Sequence, residues 1–212
     1  NIFRGELLDV NGIHFLLGQR NIKISKLLKF IVENIKSKQY KVSLNKNYIS
    51  IEEYLKHKFE SRFDSKEILI VKRLLQRDIL GLKNRNEIIA NAIEFFTNCS
   101  SRDIAKKLYI TLDEMLDMKN MGMVFGSHGL THRWFNSLSY DDQYQEIFQS
   151  FKTLQDMKLL DNSTPKFLCY PYGAFNRDTL AINKLLKIDF AFTTEVGAAK
   201  STKEETFFKL KR

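Results

Sequence analysis

Two histidines stand four residues apart in the segment 126–132. His128 and His132 are half of the four histidines in the chain. Imidazole is the commonest metal ligand in proteins, and zinc holds its ligand nitrogens at about 2.1 Å. The apolar run Met123–Ser127 predicts a buried strand, and the glycines around it indicate that the strand runs into a turn. A metal site at the end of this strand is the functional hypothesis. Hydrogen bonding of both histidines inside a turn is the structural alternative.

A second candidate segment, Cys169–Gly173, has the sequence Cys-Tyr-Pro-Tyr-Gly and ends the predicted strand Phe167–Tyr170. Proline and glycine on either side of Tyr172 predict a rigid turn that exposes backbone N–H groups. Such donors can stabilise the oxyanion that develops during acyl transfer. The structural alternative is an ordinary turn whose tyrosines pack on the core.

The elements around these segments alternate between strands and helices. Ser139 is a good N-cap for a helix over 140–157, and a further helix is predicted over 179–186. Strands are predicted at 190–194 and, as a fourth, at 207–210. This alternation is typical of a parallel α/β sheet or barrel, in which functional sites lie at the carboxyl ends of the strands.

The preceding part of the chain, residues 22–119, is charged and has helical periodicity. One apolar stripe runs from Ile24 to Ile35, and others follow at 68–75 and 88–96. We predict Asn84 or Asn86 as the N-cap of the 88–96 helix, and Ser100 or Ser101 as the cap of the next one. The stripes predict amphipathic helices that face a core.

Together the two motifs resemble those of the polysaccharide deacetylase (NodB-homology) family. Ser127–His132 is similar to the histidine motif of the family, and Tyr170–Gly173 is similar to its Pro-Tyr-Gly motif. Asp189–Thr194 resembles a later strand, and the resemblance covers approximately residues 111–212. It implies an α/β fold, a distorted (β/α) barrel of the NodB-homology type with a helical insertion. The implied activity is removal of N-acetyl groups from an amino sugar or polysaccharide with a divalent metal.

The resemblance also implies roles for individual residues. His128 and His132 would be the imidazole ligands of the metal, for which zinc is the first choice. The metal would polarise the acetamide carbonyl and activate a water.

The same resemblance assigns the turn to the substrate. Tyr172 would donate its backbone N–H to the oxyanion hole. Tyr170, Pro171 and Gly173 would form one wall of the sugar groove. Trp134 would stack on a pyranose face, with packing at the rim of the site as the equal alternative.

Three features of the family are not found in the sequence. No aspartate pair precedes the histidine motif, Cys169 replaces the arginine of Arg-x-Pro-Tyr-Gly, and no histidine follows His132. We therefore expect residues 1–21 to be a barrel element that follows strands outside this sequence. Residues 22–119 are expected to be a helical insertion, and residues 120–212 the C-terminal part of the barrel. A catalytically incomplete barrel that binds sugar is the alternative.

The composition narrows the class of protein to which the chain can belong. With 43% hydrophobic and 12% aromatic residues and no apolar run of about 18 residues, the chain is expected to be globular, without a membrane span. The net charge of +9 is carried by dispersed residues, among which Lys outnumbers Arg, so we expect a lysine-rich surface and no nucleic-acid partner. The less favoured alternative is a helix-turn-helix DNA-binding protein, because Ser101–Thr111 resembles such a motif. The acidic segment after Thr111 disagrees with a recognition helix.

Two expectations concern the rest of the chain. His14 lies among apolar residues, so we expect a buried core histidine. The helical insertion is expected either to cover the barrel or to make a homo-oligomer contact. The sequence indicates no particular compartment.

Overall fold

The computed structural model describes residues 5–61, 63–199 and 207–211, which form a mixed α/β structure. The chain divides into two compact units between Tyr109 and Ile110. We call residues 5–109 the helical unit and the described residues from 110 onward the sheet unit. No helix in the described part of the chain is long and apolar enough to cross a membrane.

The helical unit contains six α-helices and a two-stranded antiparallel sheet among its described residues. Its elements are α1 Asp9–Gly18, α2 Ile24–Ser37, β1 Val42–Leu44, β2 Asn47–Ile49, α3 Ile51–Lys56, α4 Lys66–Arg73, a π-helical turn Leu74–Asp78, α5 Leu82–Thr97 and α6 Ser101–Leu108. The predicted stripes are confirmed, since Leu27, Ile31 and Ile35 are buried along α2.

Two predictions about the helical unit are wrong. Helix α5 begins at Leu82 with Gly81 as its N-cap, because Gly81 adopts a φ of 84° and the Asn84 side chain bonds back to the Leu80 carbonyl. His14 is exposed on the outer side of α1. The face of α1 that includes Gly12 packs on α5, where a Cβ on Gly12 would lie 2.5 Å from Ile89 Cγ2. The prediction that Ser100 caps α6 is confirmed.

The sheet unit is built from short parallel strands and the helices that connect them. Its elements are α7 Leu112–Asn120, a 3-10 turn Phe135–Ser137, α8 Tyr140–Asp156, β3 Phe167–Cys169, a 3-10 turn Pro171–Gly173, α9 Arg177–Leu185 and β4 Phe190–Phe192. Ser139 caps α8 as predicted, by accepting a hydrogen bond from the Asp142 N–H.

Strands β3 and β4 pair in parallel, with Leu168 opposite Ala191. Ser127 adds a parallel bridge to Leu168 on one side, and Leu210 adds one to Phe192 on the other side. The predicted strand–helix–strand order is therefore confirmed. The described residues form two two-stranded sheets with isolated bridges, and they do not close into a barrel.

Each of two predicted strands of the sheet unit is reduced to one residue that forms an isolated β-bridge. In the run Met123–Ser127, Met123 is 50% and Val124 59% exposed, because among the described residues only Ser127 finds a strand partner. In the predicted fourth strand, 207–210, Phe207 and Phe208 form a 3-10 turn and only Leu210 pairs. The core of the unit lies between the sheet and the two long helices, where Ile147, Leu168 and Ile182 are fully buried.

Candidate metal and sugar site

The two histidines lie on a loop that leaves the sheet at Ser127. The rings of His128 and His132 are 4.7 Å apart between centroids and nearly perpendicular, at 75°. The loop turns sharply to achieve this, because Gly129 has a φ of 77° and His132 a φ of 59°. A spacing of four residues therefore brings the two imidazoles together through a turn, without a helix.

His128 is oriented by a neighbouring strand. Its Nδ1 lies 2.7 Å from the Cys169 carbonyl oxygen at the end of β3. Because a carbonyl oxygen only accepts hydrogen bonds, Nδ1 is the donor, and Nε2 is the ring nitrogen that could bind a metal. Metal-binding histidines are commonly fixed in this way, with one ring N–H donated to a backbone carbonyl.

The Pro-Tyr-Gly turn follows β3 directly and approaches the histidine loop. Tyr172 has a φ of 58°. Its ring contacts the His132 ring at 4.7 Å and stacks on Trp134 at 4.4 Å with an interplanar angle of 10°. The structure thus brings His128, His132, Trp134 and Tyr172 together at the carboxyl ends of neighbouring parallel segments.

Tyr170 and Pro171 lie in a different environment. The Tyr170 side chain is only 2% exposed, and its hydroxyl donates to the Phe208 carbonyl and accepts from Asn183 Nδ2. Pro171 is also buried. Neither side chain therefore lines a groove, because both pack into the core below the turn. The half-buried rings of Trp134 and Tyr172 are the aromatic surfaces next to the histidines.

Gly173 completes the turn at a close approach to the chain after β4. It has a φ of 69°, and a Cβ at this position would lie 2.3 Å from Thr194 Oγ1. Glycine is therefore needed here for both its backbone conformation and its size.

Helix α8 contributes two residues that sequence reasoning missed, Glu146 and Ser150. Glu146 accepts hydrogen bonds from the N–H groups of Leu130 and Thr131, and Ser150 Oγ lies 2.5 Å from Ser127 Oγ. Both are buried on a helix face shared with Ile147. The available signal was their spacing, since polar side chains at the apolar positions of an amphipathic helix indicate partners in the core.

The fit of this site to a metal rests on the two imidazoles. Their ring centroids lie 4.7 Å apart, and the contact of His128 Nδ1 with the Cys169 carbonyl leaves Nε2 as the nitrogen that could bind a metal. Nitrogen donors of this kind suit zinc. Among the described residues no group of three or more His, Cys, Asp or Glu side chains is placed to hold an ion. His128 and His132 would supply two of the ligands that a catalytic zinc requires.

Comparison with known proteins finds similarity to one family over the part of the chain that contains this arrangement. Residues 90–191 match the family model described as polysaccharide deacetylase, and this range includes both motifs. The chain is related to the polysaccharide deacetylases. It is 29% identical over 98 residues to the Bacillus subtilis (strain 168) protein named "Putative polysaccharide deacetylase YxkH". That match covers 46% of the chain and 34% of the relative, so the chain spans about a third of that deacetylase.

Two solved deacetylase structures are also similar to the chain. The Streptococcus pyogenes deacetylase PplD in complex with acetate gives a TM-score of 0.45 at 20% identity, covering 88% of this chain and 79% of that one. The Bacillus anthracis "putative polysaccharide deacetylase BA0330" gives a TM-score of 0.41 at 21% identity, covering 49% and 32%.

Proposed function

We propose that the protein is a metal-dependent deacetylase that hydrolyses N-acetyl groups of an amino sugar or polysaccharide. The observation that carries the proposal is the convergence of His128 and His132 next to Tyr172, inside the segment that matches the polysaccharide deacetylase family. Neither motif alone would support it, but the family match and the geometry point to the same residues.

In this proposal His128 and His132 hold a divalent metal, with zinc as the first choice. The bound ion would supply Lewis-acid polarisation of the acetamide carbonyl and a water of lowered pKa. His128 would contribute an imidazole whose direction is fixed by the Cys169 carbonyl. His132 is held against Tyr172, which limits the rotation of its ring.

The turn after β3 and the stacked pair would bind the sugar. Tyr172 would direct its backbone N–H towards the oxyanion, a role consistent with its left-handed backbone conformation at a strand end. The Trp134 and Tyr172 rings would offer an apolar face to a pyranose, and the backbone of the turn Tyr170–Gly173 would form the adjacent wall. The acetyl group would then lie next to the two imidazoles.

The reaction also needs a general base and a third ligand. Among the described residues, no third His, Cys, Asp or Glu joins the pair in a group that could hold an ion. By resemblance to the family, an aspartate pair would supply both. The parallel order Ser127, β3, β4 and Leu210 supports a larger parallel sheet of the NodB type, so we propose that these segments are part of a distorted (β/α) barrel.

The experiment measures bound zinc per chain by mass spectrometry and acetate release from N-acetylglucosamine oligomers. The proteins compared are the full chain, His128→Ala, and the matched control His14→Ala, an exposed histidine of the helical unit. We expect zinc in the unmodified chain and in His14→Ala, and its loss in His128→Ala. Equal zinc in all three would contradict the site.

The assay also distinguishes the alternatives. Retention of N-acetylglucosamine oligomers without acetate release would favour a sugar-binding protein. Binding to duplex DNA that weakens steeply with salt would favour the DNA-binding alternative. Acetate release that is lost in His128→Ala and kept in His14→Ala supports the deacetylase.

A further inference from the structure

The loop that presents the two histidines is held by a buried carboxylate. Glu146 is 6% exposed and accepts three hydrogen bonds from the loop. Its Oε2 receives the N–H groups of Leu130 at 3.0 Å and Thr131 at 2.9 Å, and its Oε1 receives the Thr131 hydroxyl at 2.5 Å. The donors lie between His128 and His132, so the carboxylate acts on the backbone that sets their separation.

The start of the same loop is held from one turn further along α8. Ser150 Oγ lies 2.5 Å from Ser127 Oγ and itself donates to the Ile147 carbonyl. The Ser127 hydroxyl in turn accepts the N–H of Gly129 at 3.1 Å. Two side chains four residues apart on one helix face thus fix both ends of a short loop.

The backbone of the loop explains why such support is needed. Gly129 and His132 both have positive φ, which is unfavourable for a histidine. A buried carboxylate is itself costly unless its oxygens are hydrogen-bonded. The hydrogen bonds from the half-buried Leu130 and Thr131 offset the cost of burying the carboxylate and stabilise the loop in this conformation.

We propose that Glu146 is a positioning residue, supported by Ser150, that holds the His128–His132 loop in its metal-binding conformation. The inference rests on the proposed function, since it concerns the same metal site. Glu146 acts through the backbone N–H groups of Leu130 and Thr131.

The experiment measures zinc affinity by calorimetric titration of the full chain and three variants. Glu146→Ala removes the three acceptor interactions. Glu146→Gln keeps one oxygen for the two N–H groups and places an amide opposite the Thr131 hydroxyl, which can then act as acceptor. Ile147→Val is the control, because it weakens the buried face of α8 without a polar contact to the loop.

We expect zinc affinity to fall at least about tenfold in Glu146→Ala, the lower limit for loss of groups that orient metal ligands. Glu146→Gln should recover most of the affinity, and Ile147→Val should match the unmodified chain. Unchanged affinity in Glu146→Ala would overturn the inference, and so would an equal loss in Glu146→Gln or in Ile147→Val.

A second measurement works without metal. Nuclear Overhauser contacts between the two imidazole rings, together with amide hydrogen exchange at Leu130 and Thr131, report the loop conformation directly. Glu146→Ala should lose the ring contact and the amide protection, whereas Ile147→Val should keep both. If Glu146→Ala keeps the ring contact and the amide protection, the inference is wrong, even for a chain that binds no zinc. If zinc binding depends on Glu146 but the chain releases no acetate, only the proposed function is contradicted.

Discussion

At the residue scale, two members of the candidate site adopt a backbone conformation that their side chains disfavour. His132 has a φ of 59° and Tyr172 a φ of 58°. A left-handed conformation costs a residue with a side chain about 1–2 kcal/mol relative to glycine. Glycine would therefore be the better residue at both positions if stability alone mattered. The two rings contact each other at 4.7 Å between centroids, and backbone strain of this kind clusters at functional sites.

The two histidines provide a matched pair of variants that tests this point. His132→Gly relieves the unfavourable φ, whereas His128→Gly introduces glycine where φ is not positive and removes the bond to Cys169. We expect both variants to lose zinc, and we expect the free energy of unfolding of His132→Gly to exceed that of His128→Gly by about 1–2 kcal/mol. Urea denaturation of the metal-free proteins measures the difference. A more stable His128→Gly would show that the backbone at 132 carries no strain.

At the scale of elements, the sequence predicted helix starts well, because a helix cap depends only on neighbouring residues, and predicted strands less well. Helix α8 begins after Ser139 because the serine side chain satisfies an N–H of the first turn, and this signal is contained within four residues. The strand at 123–127 was overpredicted because an apolar run becomes a strand only when a neighbour pairs with it. Met123 and Val124 have no such neighbour among the described residues.

In the candidate site, too, the sequence indicated short-range relations between residues and missed contacts between residues far apart in the chain. The spacing of His128 and His132 and the position of Tyr172 after a strand were visible in the sequence, and the structure places their rings together. Glu146 was missed because its three donors lie 15 or 16 residues earlier in the chain, across a contact that periodicity does not encode. The burial of the Tyr170 side chain was not visible in the sequence, because it depends on contacts with Asn183 in α9 and with Phe208, which lie 13 and 38 residues later in the chain.

The turn after β3 allows a prediction about how elements constrain each other. In Gly173→Ala the new Cβ would meet Thr194 Oγ1 at 2.3 Å and would also require a φ of 69°. We expect a loss of about 2–5 kcal/mol in the free energy of unfolding, the sum of the backbone and overpacking costs. Gly122→Ala is the control, because Gly122 has a φ of 91° with nothing within 4 Å of its added Cβ.

The control separates the two contributions in thermal or urea unfolding. Gly122→Ala should lose only the backbone part, about 1–2 kcal/mol. In Gly173→Ala, an additional Thr194→Ala substitution should restore part of the loss, because it removes the side-chain atoms that the Cβ would meet. Equal losses in Gly122→Ala and Gly173→Ala would mean that the close approach of the two turns costs nothing.

At the scale of the whole molecule, each unit contains a tyrosine whose hydroxyl is buried in a network of its own. In the helical unit, burial is the main cause of a raised pKa for Tyr54, and the hydrogen bond to the Asp78 carboxylate raises that pKa further. In the sheet unit, burial raises the pKa of Tyr170 well above its usual value. A raised pKa means that the folded state favours the neutral phenol. The stability it provides is therefore fully present below the unfolded pKa of about 10 and is lost as the pH rises above it.

Alkaline pH should therefore destabilise both units through specific residues. Above about pH 10, each of the two tyrosines should lower the free energy of unfolding by up to about 1.4 kcal/mol per pH unit. Urea denaturation across this range should show a shallower loss in Tyr54→Phe and in Tyr170→Phe than in the unmodified chain, because phenylalanine cannot ionise in the unfolded state. Tyr48→Phe, at an exposed position of β2, should follow the unmodified chain and thereby account for the titration of lysines in the same range. If Tyr170→Phe keeps the full slope, the hydroxyl is accessible to water in the folded protein, and the buried core assigned to it beneath the Pro-Tyr-Gly turn is wrong.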